Sequence, residues 1–78
     1  MKVTVLVRPK AGILDPQGDA IARALTALGL PVSDARAGKV IDLEVATTDR
    51  SEAEQVAREA ADAALANALI ETYEVVVP

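Results

Sequence analysis

Apolar residues recur at every second position in two short stretches of the chain, residues 2–8 and residues 70–78. This alternation is the pattern of a half-buried strand, so the sequence predicts a strand at each end. Leu6 lies on the opposite face of the first strand and indicates partial cover there as well. The alternating apolar residues are Val3, Val5 and Val7 in the first stretch and Tyr73, Val75 and Val77 in the second.

A first helix is predicted over residues 16–28. Asp15 is a good N-cap residue, and Pro16 suits the first helical position because its ring fixes φ near the helical value. Gly29 supplies the C-terminal stop. The apolar stripe expected to face the core consists of Ile21, Ala24, Leu25 and Leu28.

A second helix is predicted within residues 51–69, where Ser51 and Glu54 stand at capping-box spacing. Its apolar stripe is almost entirely alanine, so the helix can lie unusually close to the surface on which it packs. The stripe consists of Ala53, Val56, Ala57, Ala60, Ala61, Ala64, Leu65 and Ala68.

The middle of the chain, residues 32–46, is typical of a strand, a turn and a second strand. The first strand is predicted over Val32–Arg36, the turn near Ala37 and Gly38, and the second strand over Lys39–Ala46. A single bent strand through the whole segment is the alternative. In the second half, apolar Ile41, Leu43 and Val45 alternate with Asp42 and Glu44.

The predicted element order is β-α-β-β-α-β. This order is typical of an α+β fold, a two-layer sandwich with an antiparallel sheet and two helices on one face. Seventy-eight residues suit a single domain over residues 1–78. Because the chain has one Tyr, no Phe or Trp and no Cys, its core is small and unsupported by disulfides, and we expect a homo-oligomer.

Charge and hydropathy limit the classes of partner. The net charge of −4 argues against a nucleic-acid module, whose footprint is a basic face, and a lone Tyr73 offers no stacking platform for bases. No apolar run approaches the length of about 18–20 residues that spans a bilayer. The sequence therefore predicts a cytoplasmic protein that binds neither nucleic acid nor membrane.

Candidate catalytic groups are few, because the chain has neither Cys nor His. Ser51 is assigned to capping the second helix rather than to nucleophilic attack. The carboxylate pair Asp42 and Glu44 lies on an outer strand face, which gives no reason for their pKa values to separate. We expect no catalytic residue, no cofactor and no metal site.

Two glycine-containing segments remain as candidate contact sites. In the first, Asp15 and Pro16 are followed by Gln17, whose amide can both donate and accept, and by Gly18. In the second, Gly38 stands between Arg36 and Lys39, so that its turn is flanked by positive charge. This second segment is not a P-loop, because it lacks the upstream glycine at the required spacing and the Ser or Thr after Lys.

Taken together, these two segments resemble the PurS family, the small subunit of bacterial and archaeal formylglycinamidine ribonucleotide synthase. The stretches "GILDPQGDAIARALTALG" and "ARAGKVIDLEV" carry the resemblance, which extends over nearly the whole chain. Ile13, Ala35 and Ala68 depart from the family pattern, in which Val, Val and Pro stand at those places. The matching residues are Lys10, Gly12, Leu14, Asp15, Pro16, Gln17, Gly18, Arg36, Gly38 and Lys39.

The resemblance implies a non-catalytic subunit of FGAM synthase in purine biosynthesis. In that family the glutaminase subunit (PurQ) hydrolyses glutamine and the synthetase subunit (PurL) performs the ATP-dependent amidation, while the small subunit bridges the two, supports ammonia transfer and forms a homodimer or tetramer. The resemblance also implies that the two glycine segments contact partner subunits. The residues of this expected contact are Asp15, Pro16, Gln17, Gly18, Arg36, Gly38 and Lys39.

Two other functions are compatible with the same element order. An ACT-like module that binds a small molecule at a dimer interface is the first alternative, and Gly12 and Gly18 suit its loops. An acylphosphatase-like enzyme is the second, but its anion-binding loop needs an aromatic residue that "PQGDAIAR" lacks. Fold-level likeness does not decide between them.

Overall fold

The protein is described by a computed structural model that covers residues 1–78. Three strands and two helices are present, and the second helix runs on into a single π-helical turn. The elements are β1 (Lys2–Pro9), α1 (Pro16–Ala27), β2 (Lys39–Glu44), α2 (Arg50–Ala60), the π turn (Ala61–Leu65) and β3 (Glu71–Val76).

The sheet is antiparallel throughout, with the strand order β2-β1-β3. The central strand is β1, whose Val5 pairs with Ile41 of β2 and Val75 of β3. Val3 and Val5 are fully buried, as the alternation of apolar residues predicts. The inner face of β1 is therefore the floor of the core.

Helix α2 covers this inner face with small side chains. Ala53, Ala57 and Ala61 lie four residues apart on one stripe, and none of them is exposed. They form one cluster with the valines of β1 and with Val45. Alanine at each turn lets the helix backbone approach the sheet closely. The core is therefore densely packed without large aromatic side chains.

The predicted α+β class and antiparallel sheet are confirmed, but the predicted strand over Val32–Arg36 is not a strand of this sheet. Residues 32–36 pair with no strand, although the outer edges of β2 and β3 remain unpaired within the chain. Hydrogen bonds from Thr26 to the Val32 carbonyl and from Ala37 to Asp15 hold the segment beside α1 instead. The element order is accordingly β-α-β-α-β. Residues 31–38, which we call the arm, lead directly into the start of β2 at Lys39.

The arm runs alongside α1 rather than along the sheet. The Thr26 hydroxyl donates to the Val32 carbonyl at 2.8 Å, and near the start of the helix Gly18 lies against Ala35. Thr26 and Gly18 are about 12 Å apart along the helix axis, and the three residue steps from Val32 to Ala35 span about 11 Å at most, so this segment is close to fully extended. The arm is thus an extended segment antiparallel to α1, and Lys39–Glu44 is the one strand within residues 32–46, so neither two strands nor one continuous bent strand is present there.

Helix α1 does not share the sheet face with α2, contrary to the predicted two-helix layer. No residue of α1 belongs to the core cluster, and the molecule measures 48 × 24 × 13 Å. The face that α1 buries is formed by Gly18 and Ala22, against the arm. The predicted core stripe on this helix was therefore wrong, because Ile21 is 40% exposed and Leu28 is 75% exposed.

The ends of the helices follow local capping chemistry, with one correction. Gly29, at φ +83°, ends α1, and the Leu30 amide donates to the Leu25 carbonyl in a Schellman arrangement. Helix α2 begins at Arg50, and its cap lies two residues before the predicted one, since the carboxylate of Asp49 accepts from the Ser51 amide at 2.9 Å. Asp49, not Ser51, is thus the N-cap, and its charge favours the helix N-terminus.

Candidate functional site

The two glycine segments singled out from the sequence lie side by side in the fold. Arg36, on the arm, donates from Nη1 to the Ile13 carbonyl at 3.1 Å and from Nη2 to the Lys10 carbonyl at 2.8 Å. One guanidinium therefore fixes the whole loop between β1 and α1. We call this loop, residues 10–15, the motif loop.

Asp15 ties the same two segments together from the other side. Its Oδ1 accepts from the Gly18 amide at 3.0 Å, which caps α1 as predicted, and its Oδ2 accepts from the Ala37 amide at 2.8 Å. The hydrogen bond from Ala37, then that from Gly18, holds the pKa of the Asp15 carboxyl below its ordinary value, and the nearby Arg36 charge acts in the same direction. A single carboxylate thus caps the helix and docks the arm.

Gly18 and Gly38 are both required by close approach of backbone within the chain. A Cβ on Gly18 would overlap the Ala35 carbonyl oxygen and the Asp15 carboxylate. A Cβ on Gly38 would overlap the Val7 carbonyl oxygen of β1. Each glycine therefore lets one strand of chain lie directly against another, which no other residue type permits.

Lys10 joins the motif loop to the chain segment before β3. Its amide donates to the Ile70 carbonyl at 2.9 Å, and its Nζ donates to the Ala68 carbonyl at 2.7 Å. The Ile13 amide donates back to the Lys10 carbonyl across a β-turn in which Gly12 adopts φ +81°. Sequence reasoning included Lys10 in the family motif but not among the candidate site residues, because its partners lie about sixty positions away in the chain.

Three of the expected contact residues point outward instead. Pro16, Gln17 and Lys39 are exposed, and the side chains of Gln17 and Lys39 make no hydrogen bond or ion pair within the chain. Leu14, beside them, is 83% exposed. The motif loop and the first turn of α1 thus form a rigid edge that carries outward-facing groups.

No group of three or more His, Cys, Asp or Glu side chains is placed to hold a metal ion. Both carboxylate oxygens of Asp15, the acid whose pKa is lowered, accept hydrogen bonds from backbone amides.

No helix in the fold combines the length and apolar character needed to cross a bilayer.

Comparison with known proteins connects this edge to one family. The family model described as PurS, phosphoribosylformylglycinamidine (FGAM) synthase, matches residues 2–78. The phosphoribosylformylglycinamidine synthase subunit PurS of Mycobacterium leprae is 43% identical over 76 residues, which is 95% of this chain and 91% of that protein.

Solved structures agree with the sequence match. The PurS subunit of Thermotoga maritima FGAM synthase superposes with a TM-score of 0.90 at 35% identity, over 99% of this chain and 90% of that chain. A chain in the structure of PurLQS from the same organism gives a TM-score of 0.88 at 35% identity, over 99% of this chain and 95% of that chain. This chain therefore belongs to the PurS family of FGAM synthase.

Proposed function

We propose that this chain is the non-catalytic small subunit of an FGAM synthase complex in de novo purine biosynthesis. The observation that carries the proposal is the match to the family model over residues 2–78. The Thermotoga relative is named as part of a PurLQS assembly. By analogy, the partners of this chain are a synthetase subunit (PurL) and a glutaminase subunit (PurQ), in the cytoplasm where purines are made.

The chain contributes shape rather than reacting groups. The resemblance assigns glutamine hydrolysis and ATP-dependent amidation to the two larger subunits. What this chain supplies is a preformed edge, since Arg36 and Asp15 fix the motif loop before any partner arrives. Preorganisation of this kind lowers the entropy lost on association. The small subunit thereby bridges its partners and supports the passage of ammonia between them.

Within the edge, the expected contact residues divide into two roles. Asp15, Gly18, Arg36 and Gly38 set the shape through contacts inside the chain. Pro16, Gln17 and Lys39 present surface to the partner. The amide of Gln17 offers both a donor and an acceptor there.

The same protein acts as a homo-oligomer in this proposal, with residues 1–78 as one unit. Ile21, Ala24 and Leu28 form an apolar stripe on α1 that stays exposed in the single chain. Several backbone amides of the arm, from Ser33 to Arg36, donate to no acceptor within the chain. A second copy that covers this stripe and pairs with the arm satisfies both features.

Assembly measurements test the proposal. The chain is mixed with purified PurL and PurQ subunits, and the complexes are resolved by size exclusion with light scattering. We expect one complex that contains all three subunits, weakened by Gln17→Ala and unaffected by Gln55→Ala on the exposed face of α2. Absence of this chain from every complex would contradict the proposal, and saturable binding of a free amino acid instead would favour an ACT-like module.

A further inference from the structure

The single chain exposes more surface than a closed domain of its length. Its solvent-accessible surface is 5360 Å², whereas a compact monomer of 8.1 kDa exposes roughly 4,500 Å². Its radius of gyration is 15.6 Å, against about 11.5 Å for a compact chain of 78 residues. The excess surface of about 900 Å² is close to the roughly 800 Å² that each partner buries in a standard interface.

The inner face of the sheet is covered by α2 on one side only. Helix α2 packs on β1 and β3, and its Arg58 faces the Tyr73 side chain of β3. Ile41 and Leu43 of β2 lie on the same face as the buried valines of β1 but stay partly exposed. Val56, which is 39% exposed, lies two residues from Arg58 and therefore on the opposite flank of α2, toward β2. The half of the inner face nearest β2 thus presents an apolar surface with no helix on it.

Helix α1 and the arm have the complementary features. The exposed stripe of Ile21, Ala24 and Leu28 needs an apolar surface to cover it. The backbone amides from Ser33 to Arg36 donate to no acceptor within the chain, and the outer edge of β2 is unpaired as well. A helix on the bare half of the inner face and a strand on the free edge of β2 complete the two-layer β-α-β-β-α-β sandwich that the sequence predicts.

The arm does not pair with β2 of its own chain, because its contacts hold it elsewhere. Arg36 donates to the Lys10 carbonyl, and the Ala37 amide donates to Asp15, so the arm is fixed beside the motif loop. To pair with its own β2, the arm needs a hairpin turn near Gly38, and these contacts keep that hairpin open. An open hairpin is a typical hinge for the exchange of an element between two copies.

We propose that two copies of this chain exchange α1 and the arm, an inference that rests on the homo-oligomer of the proposed function. Because the arm leads directly into β2, a two-fold axis near Gly38 lays the arm of each copy antiparallel along the free β2 edge of the other. The stripe with Ile21 and Leu28 then covers Ile41 and Leu43 of the second copy. Each half of the dimer gains a fourth strand and a second helix on the inner face.

Isotope-filtered nuclear magnetic resonance tests which surfaces meet. Chains labelled with ¹³C and unlabelled chains are unfolded together and refolded in equal amounts, so that mixed dimers form. We expect nuclear Overhauser effects from the methyl groups of Ile21 and Leu28 in one copy to those of Ile41, Leu43 and Val56 in the other. Contacts only between the two α1 stripes would overturn the exchange, as would a monomer.

Val56→Gln tests the same interface without changing α1 or the arm. Since Val56 lies on α2, it affects self-association only if the second copy covers that flank of the helix. We expect the dissociation constant of the dimer to rise about tenfold or more in sedimentation equilibrium. Gln55→Ala, on the exposed face of α2, should leave it unchanged, and circular dichroism shows that both variants are folded.

Equal dissociation constants for Val56→Gln and the original chain would overturn the exchange. Binding to PurL and PurQ is measured separately on the same variants. A chain that binds both subunits but dimerises through other surfaces overturns the exchange alone, whereas a chain that binds neither contradicts the proposed function.

Discussion

Asp15 and Ala37 lie 22 positions apart in the chain, and the Ala37 amide donates to the Asp15 carboxylate at 2.8 Å. The other carboxylate oxygen caps α1 through Gly18. Because one side chain satisfies both amides, the position of the arm and the start of the helix depend on each other. The edge that we propose for partner contact is built around this link.

The charge of Asp15 makes that link dependent on pH. Its pKa is lowered in the folded chain, first by the hydrogen bond from Ala37, so the carboxylate adds stability above its ordinary pKa. This stability is lost as the pH falls through the lowered pKa of the folded state. Asp15→Asn keeps one acceptor oxygen and replaces the other by a donor that faces an amide. We expect a lower Tm at pH 7 and a difference that shrinks at acid pH, as the pH falls through the lowered pKa of the folded chain and the carboxyl is protonated.

Equal melting of Asp15→Asn and the original chain at pH 7 would contradict the double role of this carboxylate. Asp34→Asn, an exposed arm residue without a hydrogen bond in the fold, is the matched control and should leave Tm unchanged at both pH values.

Gly18→Ala tests the close approach of the arm to α1. In an unobstructed helix this change stabilises by about 0.5–1 kcal/mol, because glycine loses more backbone freedom on folding. Here the added Cβ meets the Ala35 carbonyl, and overpacking of this kind costs about 1–3 kcal/mol. Denaturant unfolding measures whether Gly18→Ala raises or lowers the unfolding free energy, and we expect it to be lowered. The neighbouring change Gln17→Ala should fall within about 0.5 kcal/mol of the original chain, and a stabilised Gly18→Ala would refute the close contact.

The alanine contact between α2 and the sheet predicts sensitivity to added volume. Ala57 is fully buried, so Ala57→Leu inserts a large side chain between α2 and β1 and costs about 1–3 kcal/mol or more of unfolding free energy. Gln55→Leu adds the same side chain on the exposed face of the helix and should cost little. Equal effects of the two substitutions would mean that the packing of α2 on β1 is not close.

The uncovered stripe of α1 predicts self-association. In light scattering, the original chain should have a molar mass of at least twice the 8.1 kDa of a single chain. Ile21→Gln/Leu28→Gln should dissociate toward the monomer and keep its circular dichroism, because neither residue belongs to the core. Ala20→Gln, on an exposed position of the same helix, is the control. An unchanged mass in the double variant would exclude this stripe as the interface.

The elements themselves could be predicted because their signals are local. The bounds of α1 follow from Asp15, Pro16 and Gly29, and the observed end differs from the predicted one by a single residue. The cap of α2 was missed because Asp49 and Ser51 are both good cap residues, and the choice depends on the path of the preceding chain.

The surroundings of α1 could not be predicted from periodicity. An apolar stripe indicates that a face becomes covered, but it does not say whether the sheet, the arm or another chain covers it. The arm packs against Gly18 and Ala22 instead, because these small residues allow an extended segment to lie close to the helix.

The candidate site was located by motif, but the roles of its residues required tertiary contacts. Arg36 reaches carbonyls 23 and 26 positions earlier in the chain, and no local pattern encodes such a pair. Gly18 was expected to contact a partner subunit, and the backbone that lies against it belongs to the arm of the same chain.

The most direct test of the central claim is the rate of FGAM formation by PurL and PurQ, measured with and without this chain. Each mixture is assayed with glutamine and, separately, with ammonia as the nitrogen source. We expect the glutamine-driven rate to require this chain and the ammonia-driven rate to be nearly independent of it. A glutamine-driven rate that is the same in its absence would contradict the proposed role.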